Sequence, residues 1–260
     1  MTRVVCPGCA HTGVREQSCP VCLKRGAFIT MRPARAERHR GATEKPVAIG
    51  SVHAPAERRI LTPWGQVNAL LNGGIVRDST MLLAGRPGYG KSTFALQVAA
   101  ASGLRAIYIA GEEAAEHVRA RYDRVCGNGR LDIWERIDLE AICSVIGAYP
   151  LAVVDSLQVL YAGSAHGNTG GPAQMRGALI ALTRLAHERR STILILSHAN
   201  QKGQPAGSLF HQHLVDAVLV FRGRPEDETR ELYLQKYRHG RSLEALPMRM
   251  TATGLEVVTA

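Results

Sequence analysis

The sequence predicts an α/β protein: a mostly parallel sheet flanked by helices, ending in antiparallel strands, with a small four-cysteine segment ahead of it. Three observations lead there. From about residue 80 to 197, apolar β-rich runs alternate with helical patterns, the order that builds a parallel sheet with helices on both faces. The last quarter holds strand-like runs joined by turns, "DAVLVF", "RELYLQKY", "LPMRMTA" and "LEVV", which add antiparallel strands. Four of the six cysteines fall within the first 22 residues.

In chain order, "TMLLAG" (80–85) reads as a strand and 91–102 as a helix. "RAIYIAG" (105–111) is a strand and 113–125 a helix. "LDIWERI" (131–137) is a weaker strand before a helix at about 139–148. The continuous apolar runs "LAVVDS" (151–156) and "STILILS" (191–197) read as buried strands around a helix at 172–190. Three zones result: residues 1–30 with the cysteines, a linker at 31–58, and a folded core at 59–260. The linker is rich in Arg, Pro, Ala and Gly without apolar period, so it reads as a flexible basic tether. There is no internal repeat.

The formal net charge is +10. That favours polyanionic partners, nucleic acid first; the alternative is a merely basic protein. No apolar run approaches the roughly 18–20 residues that a membrane span needs. The N-terminus "MTRVVCPGCAHTG" lacks the apolar core of a signal peptide. The expectation is a soluble, cytoplasmic protein with no membrane partner.

"GRPGYGKS" fits G-x-x-x-x-G-K-S between a strand and a helix, the context this phosphate-binding motif requires. Gly85, Arg86, Pro87, Gly88, Tyr89 and Gly90 form the loop. Its glycines let the backbone N–H groups curl into one concavity, and the helix N-terminus adds positive potential. Lys91 is placed to reach the β- and γ-phosphates. Ser92 is placed to ligate Mg²⁺, with Thr93 beside it. Asp155, ending the apolar strand "LAVVDS", is the candidate to hold the Mg²⁺ shell, since an acid at such a tip is costly unless solvated or paired; helix capping is the alternative. "YIAGEEAAEH" sets Glu112 and Glu113 at another strand tip. Either could polarise water against a γ-phosphate, and acids that only favour a helix N-terminus are the alternative. Glu112 is preferred, being nearer the strand end. His198, ending "LILSH", is a candidate γ-phosphate sensor or a locally satisfied histidine. Four polar strand tips at one edge are what ligand sites of such sheets use.

"CPGCAHTGVREQSCPVC" gives Cys6-x₂-Cys9-x₉-Cys19-x₂-Cys22. Two such knuckles form a four-thiolate zinc site, closed and structural, which folds a segment too short for its own core. His11 is an unneeded ligand. Cys126 and Cys143 read as small buried hydrophobes.

Together these pieces resemble the bacterial RadA (Sms) recombination ATPases, a branch of the RecA-like fold related to DnaB-type helicases. The resemblance spans residues 6–258. It rests on the four-cysteine knuckle, "GQVNALLNGGIVRDSTMLLAGRPGYGKST", "YIAGEEAAEHVRARYDR", the long segment from "VVDSLQVL" to "LILSHANQKGQPAG", "HQHLVDAVLVF", and "KYRHG". The last is similar to that family's Lys-Asn-Arg-Phe-Gly signature at Lys236, Arg238 and Gly240. The resemblance implies an ATP hydrolase using ATP, Mg²⁺ and Zn²⁺, in which Lys236 and Arg238 act in trans on the neighbour's nucleotide. Lys236 and Arg238 flank Tyr237, so both point to one face of a strand. It further implies a homo-oligomeric ring, a hexamer in that family, on single-stranded or branched DNA, with a RecA-type recombinase as a possible partner. Two loops would face DNA: residues 161–174, Gly-rich and expected to be mobile without a ligand, and residues 200–210 with Lys202. Arg176 resembles that family's Gln-Val-Arg segment, and Arg32, Arg35, Arg38, Arg40 and Lys45 could add salt-sensitive phosphate attraction.

Departures are visible. Tyr237 and His239 replace the signature's Asn and Phe, and "NQKG" replaces a Thr-Lys-Glu-Gly stretch after His198. The family carries a C-terminal Lon-protease-like domain, whereas this sequence ends at Ala260. The leading expectation is an ATP-driven repair and recombination motor. The alternatives are a DnaB-type replicative helicase of a phage or mobile element, and a slow, nucleotide-gated module that binds DNA or a recombinase.

Overall fold

The computed structural model describes residues 46–51, 58–126, 130–163, 165, 167–199, 212–224, 227–241 and 244–258, and the backbone of 3–5, 12–14, 29–30 and 209–211. The chain divides into two units, Met1–Ala48 and Ile49–Ala260. In the first, β1 (Arg3–Val5) lies between β2 (Thr12–Val14) and β3 (Ile29–Thr30), antiparallel to both. The predicted zinc ligands Cys6, Cys9, Cys19 and Cys22 lie outside the described residues, as do His11 and most of the linker.

The second unit opens with β4 (Arg59–Ile60), α1 (Gly65–Leu70) and β5 (Ile75–Val76), β4 and β5 pairing antiparallel. Then β6 (Thr80–Gly85), α2 (Lys91–Ala101), β7 (Ala106–Ala110), α3 (Ala115–Val125), β8 (Leu131–Glu135), α4 (Leu139–Ile146) and β9 (Leu151–Asp155) alternate strand with helix. The chain continues through α5 (Pro172–Arg189), β10 (Thr192–His198) and the short α6 (Leu209–Leu214). It closes with β11 (Ala217–Arg222), β12 (Thr229–Tyr237), β13 (Glu244–Thr251) and β14 (Gly254–Val257).

These strands form a nine-stranded sheet in the order β14-β13-β12-β11-β6-β10-β9-β7-β8. From β11 to β8 neighbours run parallel, and β12, β13 and β14 are antiparallel additions. Strands β6, β7 and β9 are buried at every residue, which is why they read as unbroken apolar runs rather than alternating ones.

Successive side chains point to opposite faces, so each strand feeds two cores. Leu83, Tyr108, Val153, Leu196 and Leu219 join Trp64, just before α1, and Val67, Phe94 and Val118 of α1, α2 and α3 on one face. Leu82, Ile107, Val154, Ile195 and Val218 join Ile142, Leu179 and Leu182 of α4 and α5 on the other. Trp64 stacks on Phe94 at 4.9 Å and donates its indole N–H to Leu255 O at 3.0 Å. That bond ties the start of the unit to its last strand. The partly buried Cys126 and Cys143 pack against these cores, and burial pushes both thiols up to about 11, as expected of small hydrophobes. Among the described residues no helix is long and apolar enough to cross a membrane.

Candidate active site

The phosphate loop hangs from the C-terminal end of β6. Gly90, the N-cap of α2, has φ +90°, a left-handed conformation that glycine adopts without strain. A Cβ there would meet Met250 Cε at 2.8 Å and Leu255 Cδ1 at 3.2 Å, so β13 and β14 back the loop closely. Lys91 is almost fully buried, and its Nζ donates to the loop carbonyls of Gly85 at 2.9 Å and Arg86 at 3.1 Å. Burial holds its ammonium below the ordinary lysine range, opposed by the charges of Asp155 and Glu112. The lysine thus folds back over the start of the loop, its ammonium on the Gly85 and Arg86 carbonyls.

Ser92 Oγ donates to Asp155 Oδ2 at 2.8 Å, and Tyr108 on β7 donates its hydroxyl to the same oxygen. Burial raises the Asp155 carboxyl, and the bonds from Tyr108 and Ser92 pull it back. A hydroxyl and a carboxylate side by side at a phosphate loop are hard oxygen donors, the set Mg²⁺ takes alongside phosphate oxygens and water. Among the described residues no group of three or more His, Cys, Asp or Glu is placed to hold a metal ion.

The remaining tips converge. In the sheet register His198 pairs with Gly85, and Ala110 with Asp155, so β6, β10, β9 and β7 end along one edge. Ser156 Oγ donates to Glu112 Oε1, and His198 Nε2 lies 2.9 Å from that same oxygen. Gln158 extends the chain, accepting from Ser156 Oγ at 3.1 Å and His198 N at 3.3 Å and donating to Ser197 Oγ at 2.8 Å. Glu113 takes a different partner, a two-pronged ion pair with Arg121 at 2.8 and 3.0 Å. Glu113 and Arg121 line a cavity of about 190 Å³ with Gly88, Gly90, Lys91, Ser92, Thr93 and Met250. Sequence reasoning named neither Tyr108, Arg121, Ser156 nor Gln158. Ser156 and Gln158 lie within three residues of Asp155, Tyr108 lies on the strand that leads to Glu112, and Arg121 lies on the helix after it, but only tertiary contact reveals their partners.

Lys236 and Arg238 lie elsewhere. β12 runs antiparallel to β11, with Ala217 opposite Tyr237 and also opposite Met81 of β6. The end of β12 therefore sits at the N-terminal edge of the parallel strands, away from the loop that follows Gly85. At about 3.3 Å rise per residue along β6, the two edges are roughly 17 Å apart. Lys236 Nζ donates to the carbonyls of Gln212 (2.8 Å), His213 (3.3 Å) and Val215 (2.6 Å), which uses all three ammonium protons. Arg238 Nη1 donates to Asp216 Oδ1 and its Nη2 to His213 O, both at 2.8 Å. Among the described residues these side-chain bonds go to α6, Val215 and Asp216, not to the phosphate loop.

The first expected DNA loop is pinned in part. Gln174, 1% exposed, accepts from Ala162 N and donates to Ala165 O and Gly167 O. A buried amide must find partners, and these three bonds join the start of α5 to Ala162, Ala165 and Gly167 of the Gly-rich segment. Of the second loop, residues 200–208, including Lys202, lie outside the described residues.

The family described as an AAA domain matches residues 50–204. The chain is 32% identical over 275 residues to the DNA repair protein RadA of Bacillus subtilis, covering 99% of this chain and 59% of that protein. It is 34% identical over 251 residues to the DNA repair protein RadA of Mycobacterium tuberculosis, covering 90% and 52%. The chain thus spans less than two thirds of the length of these relatives. A KaiC-like protein of Pyrococcus horikoshii superposes with a TM-score of 0.64 at 20% identity, over 78% of this chain and 100% of that one, a likeness of fold. The chain belongs to the AAA-domain family, and its second unit is a RadA-like ATPase domain with the α/β P-loop fold of KaiC and RecA.

Proposed function

We propose that this protein is a RadA-type DNA-repair and recombination ATPase that hydrolyses ATP between neighbouring copies and couples turnover to movement on single-stranded or branched DNA. The reading rests above all on the separation of its charges. The phosphate loop and the polar strand tips occupy one edge of the sheet, and Lys236 and Arg238 the opposite edge. Cations so placed act on a nucleotide only from a neighbouring copy, which implies a ring, a hexamer by the family's habit.

Within one copy, the loop from Gly85 to Gly90 and Lys91 hold the triphosphate. Ser92 and Asp155 would hold Mg²⁺, which supplies charge neutralisation between the phosphates when bound. Glu112 orients and deprotonates the attacking water, and its contacts with Ser156 and His198 fix its carboxylate. His198 senses the γ-phosphate through that contact. Arg238 supplies positive charge in trans where negative charge grows on the γ-phosphoryl oxygens. Lys236, with its three protons on carbonyls, serves first as the C-terminal clasp of α6.

Cys6, Cys9, Cys19 and Cys22 would hold one Zn²⁺, which would supply the fold of this segment. The two Cys-x-x-Cys pairs fall in the two connections of the sheet β2-β1-β3, an arrangement suited to a knuckle. A RecA-type recombinase in the cytoplasm is the proposed protein partner.

The test is steady-state ATP hydrolysis with and without single-stranded DNA, on wild type and Arg238→Ala. DNA is expected to stimulate wild-type turnover. Arg238→Ala is expected to lose it by 10³-fold or more, the order that arginine fingers supply, while still binding ATP. Slow turnover indifferent to both DNA and Arg238 would instead mark a nucleotide-gated binding module.

A further inference from the structure

Asp216 belongs to no phosphate site, yet it is among the few buried charged side chains in the described residues, 5% exposed. It sits between α6 and β11. Its Oδ2 accepts from both Thr80 N at 2.9 Å and Thr80 Oγ1 at 3.0 Å. Two donors from one residue fix the plane of the carboxylate at the foot of β6. Its Oδ1 is left for Arg238 Nη1 at 2.8 Å. The two residues are also joined by main chain, because Arg238 N donates to Asp216 O at 3.0 Å. His187 Nε2 approaches Oδ2 at 3.5 Å from α5.

We propose that Asp216 is the positioning residue for Arg238, holding its guanidinium at the angle at which it meets the nucleotide of the neighbouring copy. The proposal rests on the trans reading above. A long arginine side chain on a strand end samples many rotamers, and a charge-assisted bond to a rigid buried carboxylate selects among them. The second prong reinforces the choice. Arg238 Nη2 donates to His213 O, one of the α6 carbonyls that Lys236 also grips. Arg238 therefore rests on a carboxylate tied to β6 and a carbonyl tied to β12. A guanidinium carries five N–H donors, and these contacts take two. The side chain is 46% exposed, so the rest of the fork is presented outward. In this arrangement β6 serves two sites: its C-terminal end carries the copy's own phosphate loop, and its first residue aims the cation for the next copy.

Trans-complementation separates this role from a structural one. Lys91→Ala subunits lack a working phosphate loop but keep an intact Arg238. Mixed with Arg238→Ala subunits, they rebuild working interfaces if the trans reading holds. Asp216→Asn keeps the side-chain volume and is expected to lower kcat at least tenfold, with ATP affinity unchanged within twofold. Mixing with Lys91→Ala subunits should raise its turnover several-fold above the sum of the separate proteins.

If Asp216→Asn alone matches wild type, or its loss is not repaired by Lys91→Ala while that of Arg238→Ala is, the positioning role is overturned and the trans reading survives. If Arg238→Ala is not repaired either, the trans reading itself fails. Should Asp216→Asn not fold, Thr80→Val removes one of the two bonds that orient the carboxylate. A several-fold kcat loss repaired by Lys91→Ala is expected there, and full activity or an unrepaired loss overturns the proposal.

Discussion

Glu112 and Glu113 are adjacent in sequence and differ completely in surroundings. Glu112 meets Ser156 and His198 at the convergence of strand tips, whereas Glu113 is neutralised by Arg121. A general base needs a carboxylate held in place but not consumed by an ion pair. Glu112→Gln is therefore expected to cut turnover by about 10²–10⁴-fold with ATP binding retained, and Glu113→Gln by far less, as read by hydrolysis alongside binding of a fluorescent ATP analogue. Equal losses in both variants would contradict the assignment. His187 offers a second test. Its pKa is raised, first by the bond to Asp216, against burial and the Arg238 charge, with Asp216 and Asp78 charges adding to the rise. A histidine whose folded pKa lies above its ordinary 6.5 lends stability that is complete below that value and lost as pH rises through the folded one. The melting temperature of wild type should exceed that of His187→Gln at about pH 5.5, and the gap should close by about pH 8.5. A gap independent of pH would mean that the imidazole contributes only packing.

At the scale of elements, close approach governs the phosphate loop. Gly90 combines φ +90° with the nearness of Met250 and Leu255. Gly90→Ala should cost about 1–2 kcal/mol from the left-handed backbone alone, with more from displaced side chains. At this size that corresponds to a melting temperature lower by about 2–8 °C, and nucleotide affinity should fall because the N–H cradle shifts. Metal analysis of the purified protein should give about one zinc per chain, falling toward zero when Cys6 and Cys9 become serine. Most elements were legible because they are long or strongly patterned. "TMLLAG" is β6 to the residue, and the helices expected at 91–102 and 172–190 form as Lys91–Ala101 and Pro172–Arg189. Among the elements that the sequence did not reveal are the three strands β1–β3, the helices α1 and α6 and the β4–β5 pair, each too short to show a period. Strand order was also illegible. β10 inserts between β6 and β9 through pairings more than 40 residues apart, and no local pattern encodes which buried strand meets which.

At the scale of the molecule, the same topology explains which parts of the site could be read. Glycines and a lysine at fixed spacing announce the phosphate loop locally. Asp155, Glu112 and His198 announce themselves as polar ends of apolar strands. Tyr108 and Asp216 do not, since their roles arise from Ser92, Thr80 and Arg238 brought together across the sheet. The antiparallel addition of β12 then sets a geometric rule: the copy that binds a triphosphate at one sheet edge keeps its own cations at the other. Hydrolysis should therefore be a property of assembled copies. Turnover per subunit is expected to rise with protein concentration, then level off where sedimentation shows assembly complete. Raising salt should shift that curve toward higher concentration if, as proposed, chains of net charge +10 gather on DNA by releasing its counterions. The shift should be larger with DNA present than without it. A rate per subunit that stays constant on dilution below the assembly threshold would show that one copy completes its own site, and would overturn the proposed action of Arg238 on a neighbouring copy.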